Sequence, residues 1–355
     1  MAWGEAGESA VAVGESTGHV EVLRLGMVDG VSGTGAETGS GKDKNLRLLA
    51  RIDAKTGPIT ALAAGWLSGL AAQDLLVGDD AGAVAVVGAS TGSVLAHHAL
   101  GDASVVALAA PLPDATAAGT GSGVLGGIPA SNLAYAALLD GSVVAFDARC
   151  VMFVVRLADI SLRSLVPPPG EPADGPSRDA HVAAAVAALE TSLAPPAITL
   201  FRARPDGPPL VLVASGTCLL ALADAAVVWA RSLDVAITAL ALAPDGAVII
   251  GTADGVVHRA TAEDLAAESR PLPVFAALTT AVFALATSPT RLAIATASPK
   301  VAIRSYPGGE LPAPGHVELT SWPVGVDISN SSLITVSDDG CLVVTALDDS
   351  GLAPM

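Results

Sequence analysis

The sequence predicts an all-β protein, a single seven-bladed β-propeller over residues 1–355 with loop insertions and one short inserted helix. Three observations carry this. Short apolar runs recur in pairs about a small turn, as hairpins do. The later turns repeat at the interval of a four-stranded blade. The surplus residues fall in three stretches of different composition. With 51% hydrophobic and 15% charged residues in 355, the chain has apolar surface enough for a large core, which excludes disorder as its general state.

Seven hairpins follow in order. Residues 10–13 turn into 19–23, 75–77 pass Gly82 into 83–87, and 136–139 pass Asp140-Gly141 into 143–146. Residues 210–213 pass Gly216 into 218–222, and runs 248–250, 292–294 and 333–336 meet turns at Asp254-Gly255, Pro299-Lys300 and Asp339-Gly340. The turns at 18, 82, 141, 216, 255, 300 and 340 are spaced by 64, 59, 75, 39, 45 and 40 residues. The last three intervals match a blade of ~40–45 residues.

The three longer intervals hold insertions at about 27–46, 114–131 and 166–196. The first is rich in Gly, Ser and Thr, the second contains five Gly, and the third contains an Ala-rich stretch. That stretch predicts a short helix over 179–193, with Asp179 as N-cap and Pro195-Pro196 as stop. A further strand precedes the regular hairpins at 236–240, 281–285 and 324–328, and an outer strand follows at 226–230. Stacked blades bury both faces of each sheet, which explains apolar runs with little alternation; Ala and Gly let the blades approach closely. Few residues remain at either end for closing the ring, so one blade at the seam is expected to lack a strand.

The N-terminus has neither a basic nor an apolar leader region, and Cys150, Cys218 and Cys341 lie far apart outside any C-x-x-C spacing. These features point to a cytoplasmic protein with reduced, buried thiols. Residues 271–290 carry no charge, but Pro271, Pro273 and Pro289 break a helix and Thr279-Thr280 divides the stretch into two strands, so no membrane span is expected. Lys+Arg 18 against Asp+Glu 35 gives a net charge of −17, which disfavours nucleic acid and anionic lipid as partners.

At its turns the chain resembles the WD40 superfamily of β-propellers. Gly315-His316, then Val326-Asp327-Ile328, then Ser337-Asp338-Asp339-Gly340 is similar to that family's succession of GH, inner strand and S-x-D-G. The resemblance implies that His316 is a structural histidine and that the chain binds other proteins. No Trp-Asp pair occurs; Phe146-Asp147 is nearest. Residues 219–222 with 227–230 resemble quinoprotein-type repeats, and 59–65 with 74–78 resemble FG-GAP-type repeats.

Catalytic patterns are scarce. Residues 36–43 approach a P-loop but place Ala36 and Asp43 where Gly and Ser/Thr are required, so a flexible Gly-rich loop is the simpler reading. No calcium loop accompanies the FG-GAP-like segments. His97 and His98 would face opposite sides of a strand and so would not share a metal. No nucleophile elbow or triad assembles, and no cofactor or metal is expected.

One constellation remains. Glu15, Asp79, Asp80, Asp140, Asp254, Asp338 and Asp339 occupy the turns of five blades and would gather on one face as an acidic ring for a partner with a basic surface. Asp and Gly also simply make good tight turns. The expected function is a non-catalytic scaffold or adaptor within an intracellular multiprotein complex; the alternative is a quinoprotein-like enzyme or small-ligand-binding propeller.

Overall fold

The computed structural model describes residues 2–3, 9–27, 44–54, 57–65, 67, 74–88, 91–110, 124–125, 128–129, 133–157, 196–201, 209–223, 226–267, 270–308, 315–329, 332–348 and 351–352. They form seven four-stranded antiparallel sheets. Blade 1 uses Ala2–Trp3, Ser9–Gly14, His19–Met27 and Lys44–Asp53; blade 2 uses Ile59–Gly65, Asp74–Asp79, Ala83–Gly88 and Val94–Ala99. Blade 3 uses Val105–Ala109, Ala134–Leu138, Ser142–Phe146 and Val151–Arg156; blade 4 uses Ala197–Phe201, Leu210–Ser215, Cys218–Ala223 and Ala226–Ser232. Blade 5 comprises Ile237–Leu242, Val248–Thr252, Val256–Ala260 and Val274–Ala277. Blade 6 comprises Val282–Thr287, Arg291–Thr296, Lys300–Ser305 and His316–Glu318, and blade 7 Pro323–Ile328, Ser332–Ser337, Leu342–Asp348 and Gly351–Leu352. First strands of successive blades from 2 to 7 lie against one another and form the inner wall.

All seven hairpins expected from the sequence are the second and third strands of these blades. Six turn on a glycine with positive φ, at 18, 82, 141, 216, 255 and 340, and blade 6 turns without one through Ser298-Pro299. Gly255 shows why the turn demands this residue. Its φ is +89°, and a Cβ there would lie 2.6 Å from the Thr280 carbonyl oxygen and 2.7 Å from that of Leu278.

The core lies between blades rather than within them, in clusters that each join two neighbours. In blade 2, Leu75, Val77, Ala85 and Val87 pack toward blade 1, while Leu76, Val84 and Val86 pack toward blade 3. A strand with period-2 side chains and two buried faces reads as an unbroken apolar run, as the sequence does here. Close approach imposes small residues. A Cβ on Gly78 would lie 2.6 Å from Val105 Cγ1, the first residue of the next inner strand.

One expectation needs correction. Neither seam blade lacks a strand: both have four, and the chain economises by shortening the terminal strands, Ala2–Trp3 and Gly351–Leu352, to two residues each. The helix seen among the described residues is Ala262–Ala266 in blade 5, while the expected helix over 179–193 lies outside them. Thr261 and Asp264 form a reciprocal capping box at its start, a pattern present in the sequence. At its end the buried Arg231 of blade 4 donates to the carbonyls of Asp264 and Ala267 at 2.8 and 3.3 Å, and to that of Arg270. A guanidinium thus satisfies carbonyls that a helix terminus leaves free and ties blade 4 to blade 5.

Of the insertions, residues 28–43 fall between the third and fourth strands of blade 1 and lie outside the described residues, as do 158–195 between blades 3 and 4. The second falls between the first and second strands of blade 3, where Val124–Leu125 and Ile128–Pro129 pair as a small hairpin. No helix among the described residues is long and apolar enough to cross a membrane, and 271–290 supplies strands Val274–Ala277 and Val282–Thr287 as expected.

Replacing Gly78 by Ala should destabilise the fold by about 1–3 kcal/mol, because the added methyl overpacks the junction of blades 2 and 3. Urea denaturation checks this, with a lowered midpoint at unchanged slope as the expected outcome.

Candidate functional site: the turn face

Two sets of connections meet on one face of the ring: the turns between second and third strands, and the links from each fourth strand to the next blade. Backbone hydrogen bonds fuse them. The residue after the fourth strand in blades 2 to 6 is a leucine whose amide donates into the turn of its own blade: Leu100 to Gly82, Leu157 to Gly141, Leu233 to Thr217, Leu278 to Gly255 and Leu319 to Pro299, at 2.8–3.1 Å. The turn donates in return to the residue before the first strand, Asp80 to Pro58, Leu139 to Ser104, Ala253 to Ala236, Ala297 to Ala281 and Asp338 to Trp322. Sequence reading missed this leucine, although it recurs at a fixed place after the outer strands of blades 2 to 6.

The seven turn acids all lie on this face, with different surroundings. Asp79 is 2% exposed, and its carboxylate accepts from the amides of Gly57, Ala81 and Ala83 at 3.0, 3.1 and 2.7 Å, so it braces the turn from inside. Asp80, Asp140, Asp254, Asp338 and Asp339 are exposed, and Glu15 is half-buried. Asp140 accepts from the Ser142 amide at 2.9 Å. The Thr252 hydroxyl, donating at 2.5 Å, holds Asp254 below the usual carboxylate range. The Cys341 amide does the same for Asp339, and Thr17, with Arg51 2.9 Å away, for Glu15. These three are ionised at neutral pH.

Blade 7 departs from its neighbours. In blades 5 and 6 the threonines that end the second strand find partners within the turn: the Thr252 hydroxyl donates to Asp254, with the Val256 carbonyl 2.7 Å away, and the Thr296 hydroxyl lies 2.9 Å from that of Ser298. The corresponding Ser337 is 2% exposed and its Oγ has no partner. The turn acids reach outward to the incoming link instead: Asp338 accepts from the Ser321 hydroxyl and, at 3.2 Å, from the Trp322 amide, and Asp339 accepts from the Thr320 hydroxyl at 3.0 Å. Trp322 therefore stands on a link held by two carboxylates, with 54% of its surface exposed.

Next to it the inner strands enter through a bulge. In blades 2, 3, 5, 6 and 7 the second residue of the first strand is skipped in the pairing: Thr60, Val106, Thr238, Phe283 and Val324. Thr60 and Thr238 bond their hydroxyls to the carbonyls of Val105 and Gly251. Phe283 and Val324 have no such group and remain 44% and 59% exposed at matching positions of adjacent blades. Blade 3 adds Leu139, 57% exposed in its turn.

Other residues singled out in the sequence lie elsewhere. His97 is exposed, while His98 is buried 5.6 Å from the Phe146 ring, where burial pushes its pKa down; the pair points to opposite sides as expected. His316 is not a structural histidine of a link. It lies on the outer strand of blade 6 with its side chain 48% exposed, 3.7 Å from Glu318. Cys218 is buried and its thiol pushed up to about 12, but Cys150 and Cys341 are exposed, against expectation. Phe146 is fully buried, and Asp147 caps the next turn through the amides of Arg149 and Cys150. Residues 36–43 lie outside the described residues.

On the opposite face, Arg259 donates to Tyr306 at 3.0 Å and to Asp245 at 2.6 Å, and Tyr306 donates to Asp245 at 2.5 Å, joining blades 5 and 6. Burial, reinforced by Asp245, pushes the Tyr306 phenol up to about 12. Each member is spent on the other two, so the cluster works as a clamp. Among the described residues no group of three or more His, Cys, Asp or Glu is placed to hold a metal ion.

No family model matches the sequence, and no curated protein matches it. Among solved structures the chain is similar to one in the crystal structure of the mitotic checkpoint complex, with a TM-score of 0.56 and 14% identity over 96% of this chain and 88% of that one. It is also similar to the computationally designed Ika8 protein, with a TM-score of 0.53 and 16% identity over 97% and 83%. At these identities the likeness shows the fold alone.

The clamp gives a pH signature. Burial raises the Asp245 pKa, but the hydrogen bonds from Tyr306 and Arg259 outweigh it and hold the carboxyl below its ordinary value of 3.8. A carboxylate with a depressed folded pKa stabilises fully above the unfolded value and ceases to as pH falls through the folded one. Asp245→Asn should therefore melt below the wild type at pH 7, and the gap should close as the pH falls below about 4. Thermal melts across pH check it.

Proposed function

We propose that this chain is a non-catalytic scaffold that binds other proteins, those with a basic surface, through its turn face. The observation that carries the reading is the placement of exposed carboxylates Asp80, Asp140, Asp254, Asp338 and Asp339 on one hydrogen-bonded face, in a chain of net charge −17. Fixed charges on a rigid surface steer an oppositely charged partner and raise its rate of encounter. The likeness to a chain of the mitotic checkpoint complex, itself a protein assembly, is consistent with a role among protein partners, in which the ring supplies a surface and the partners supply the chemistry. We place this complex in the cytoplasm.

Replacing Asp80, Asp140, Asp254 and Asp339 together by Asn keeps an acceptor oxygen in every turn and removes four charges. Association with a copurified partner should slow, and its salt dependence should flatten over the range in which the Debye length falls from about 30 to 8 Å. Melting should change little. Unchanged rates and unchanged salt dependence would reduce these acids to turn residues.

A further inference from the structure

The mouth between blades 6 and 7 combines features found at no other turn described above. Trp322, Phe283 and Val324 are each exposed at the entry to the inner strands of blades 6 and 7, which lie against one another; at the bulge positions of Phe283 and Val324, blades 2 and 5 place threonines hydrogen-bonded to backbone carbonyls. The link that bears Trp322 is fixed by Asp338 and Asp339, which leave the buried Ser337 hydroxyl unpartnered to do so. An exposed indole on a fixed backbone loses little freedom on binding, as an interface anchor requires. Its π-face attracts cations, and the adjacent carboxylates add charge of the same preference.

We propose that this mouth is a docking site for a short partner segment carrying Lys or Arg beside an apolar side chain. The proposal rests on the scaffold reading and names what that face grips. The apolar side chain packs against Phe283 and Val324, and the cation lies over the Trp322 ring within reach of Asp338 and Asp339. Acidic and purely polar segments are rejected, the first by charge and the second because they leave the apolar surface wet.

A displayed library of random heptapeptides, panned against the full chain and its variants, tests this. Peptides retained by the wild type should be enriched in Lys or Arg next to Leu, Ile, Val, Met or Phe. Trp322→Ala should bind them about thirtyfold more weakly, as loss of an interface anchor does. The double variant Phe283→Thr, Val324→Thr installs the residue that blades 2 and 5 carry at this bulge, so it preserves the fold and should lose the same peptides. Asp338→Asn with Asp339→Asn should retain apolar peptides and lose the basic preference. The site is overturned if no Trp322-dependent peptides emerge, if all variants retain the same set, or if the dependent set lacks a basic residue. That failure leaves the scaffold reading to stand or fall on the association rates of the turn-acid variant.

Discussion

A leucine amide that donates into the turn of its own blade holds this architecture in register. Leu100, Leu157, Leu233, Leu278 and Leu319 each stand where the chain leaves an outer strand and must cross to the next inner one. A backbone amide removed from water needs an acceptor, and the turn carbonyl is the one at hand. That acceptor is correctly placed because the turn is tight, and in six of the seven turns the tightness comes from a glycine with positive φ. Adding a Cβ at Gly255 would drive it into the two carbonyls that line the crossing link, so turn and link occupy one space and fix each other. One face of the ring is thereby made rigid, and what it displays is presented at low entropic cost.

The sides of the blades obey a different constraint. In blades 2 to 6 both faces of the sheet are buried, so side chains must fill a slot whose width is set by backbone approach. Gly14 against Ile59, Gly78 against Val105, and Gly251 against Val282 show how close that approach is. Volume and patterning suffice for such a core, and apolar residues of similar size interchange at modest cost. The chain is correspondingly free to lack a Trp-Asp pair, with Phe146 and Asp147 in a strand and turn that close well without it.

The hairpins were legible in the sequence because backbone geometry restricts which residues make a turn, and six glycines marked the places. Strand order followed from period. The face was harder to read, because exposure there depends on register and link geometry. Asp79 and Asp80 are adjacent and chemically alike, yet the first is buried under three amides and the second is exposed; only the hairpin register separates them. Phe283 and Val324 looked like core residues of apolar strands, and a one-residue bulge turned them outward. His316 fell where a motif placed it in sequence but on an outer strand in space. The capping box of Thr261 and Asp264 was present in the sequence but short enough to pass as part of a loop.

The central claim is that the turn face carries the contacts of this protein, and hydrogen exchange of the chain free and bound to a copurified partner measures it directly. Bound partner should slow exchange at residues 139–141, 253–255, 281–283, 321–324 and 338–340, all on that face, and leave the opposite connections at 243–247 and 262–266 unchanged. Slowing confined to those opposite connections, or to the outer strand Val151–Arg156, with the turns unaffected, would contradict the account.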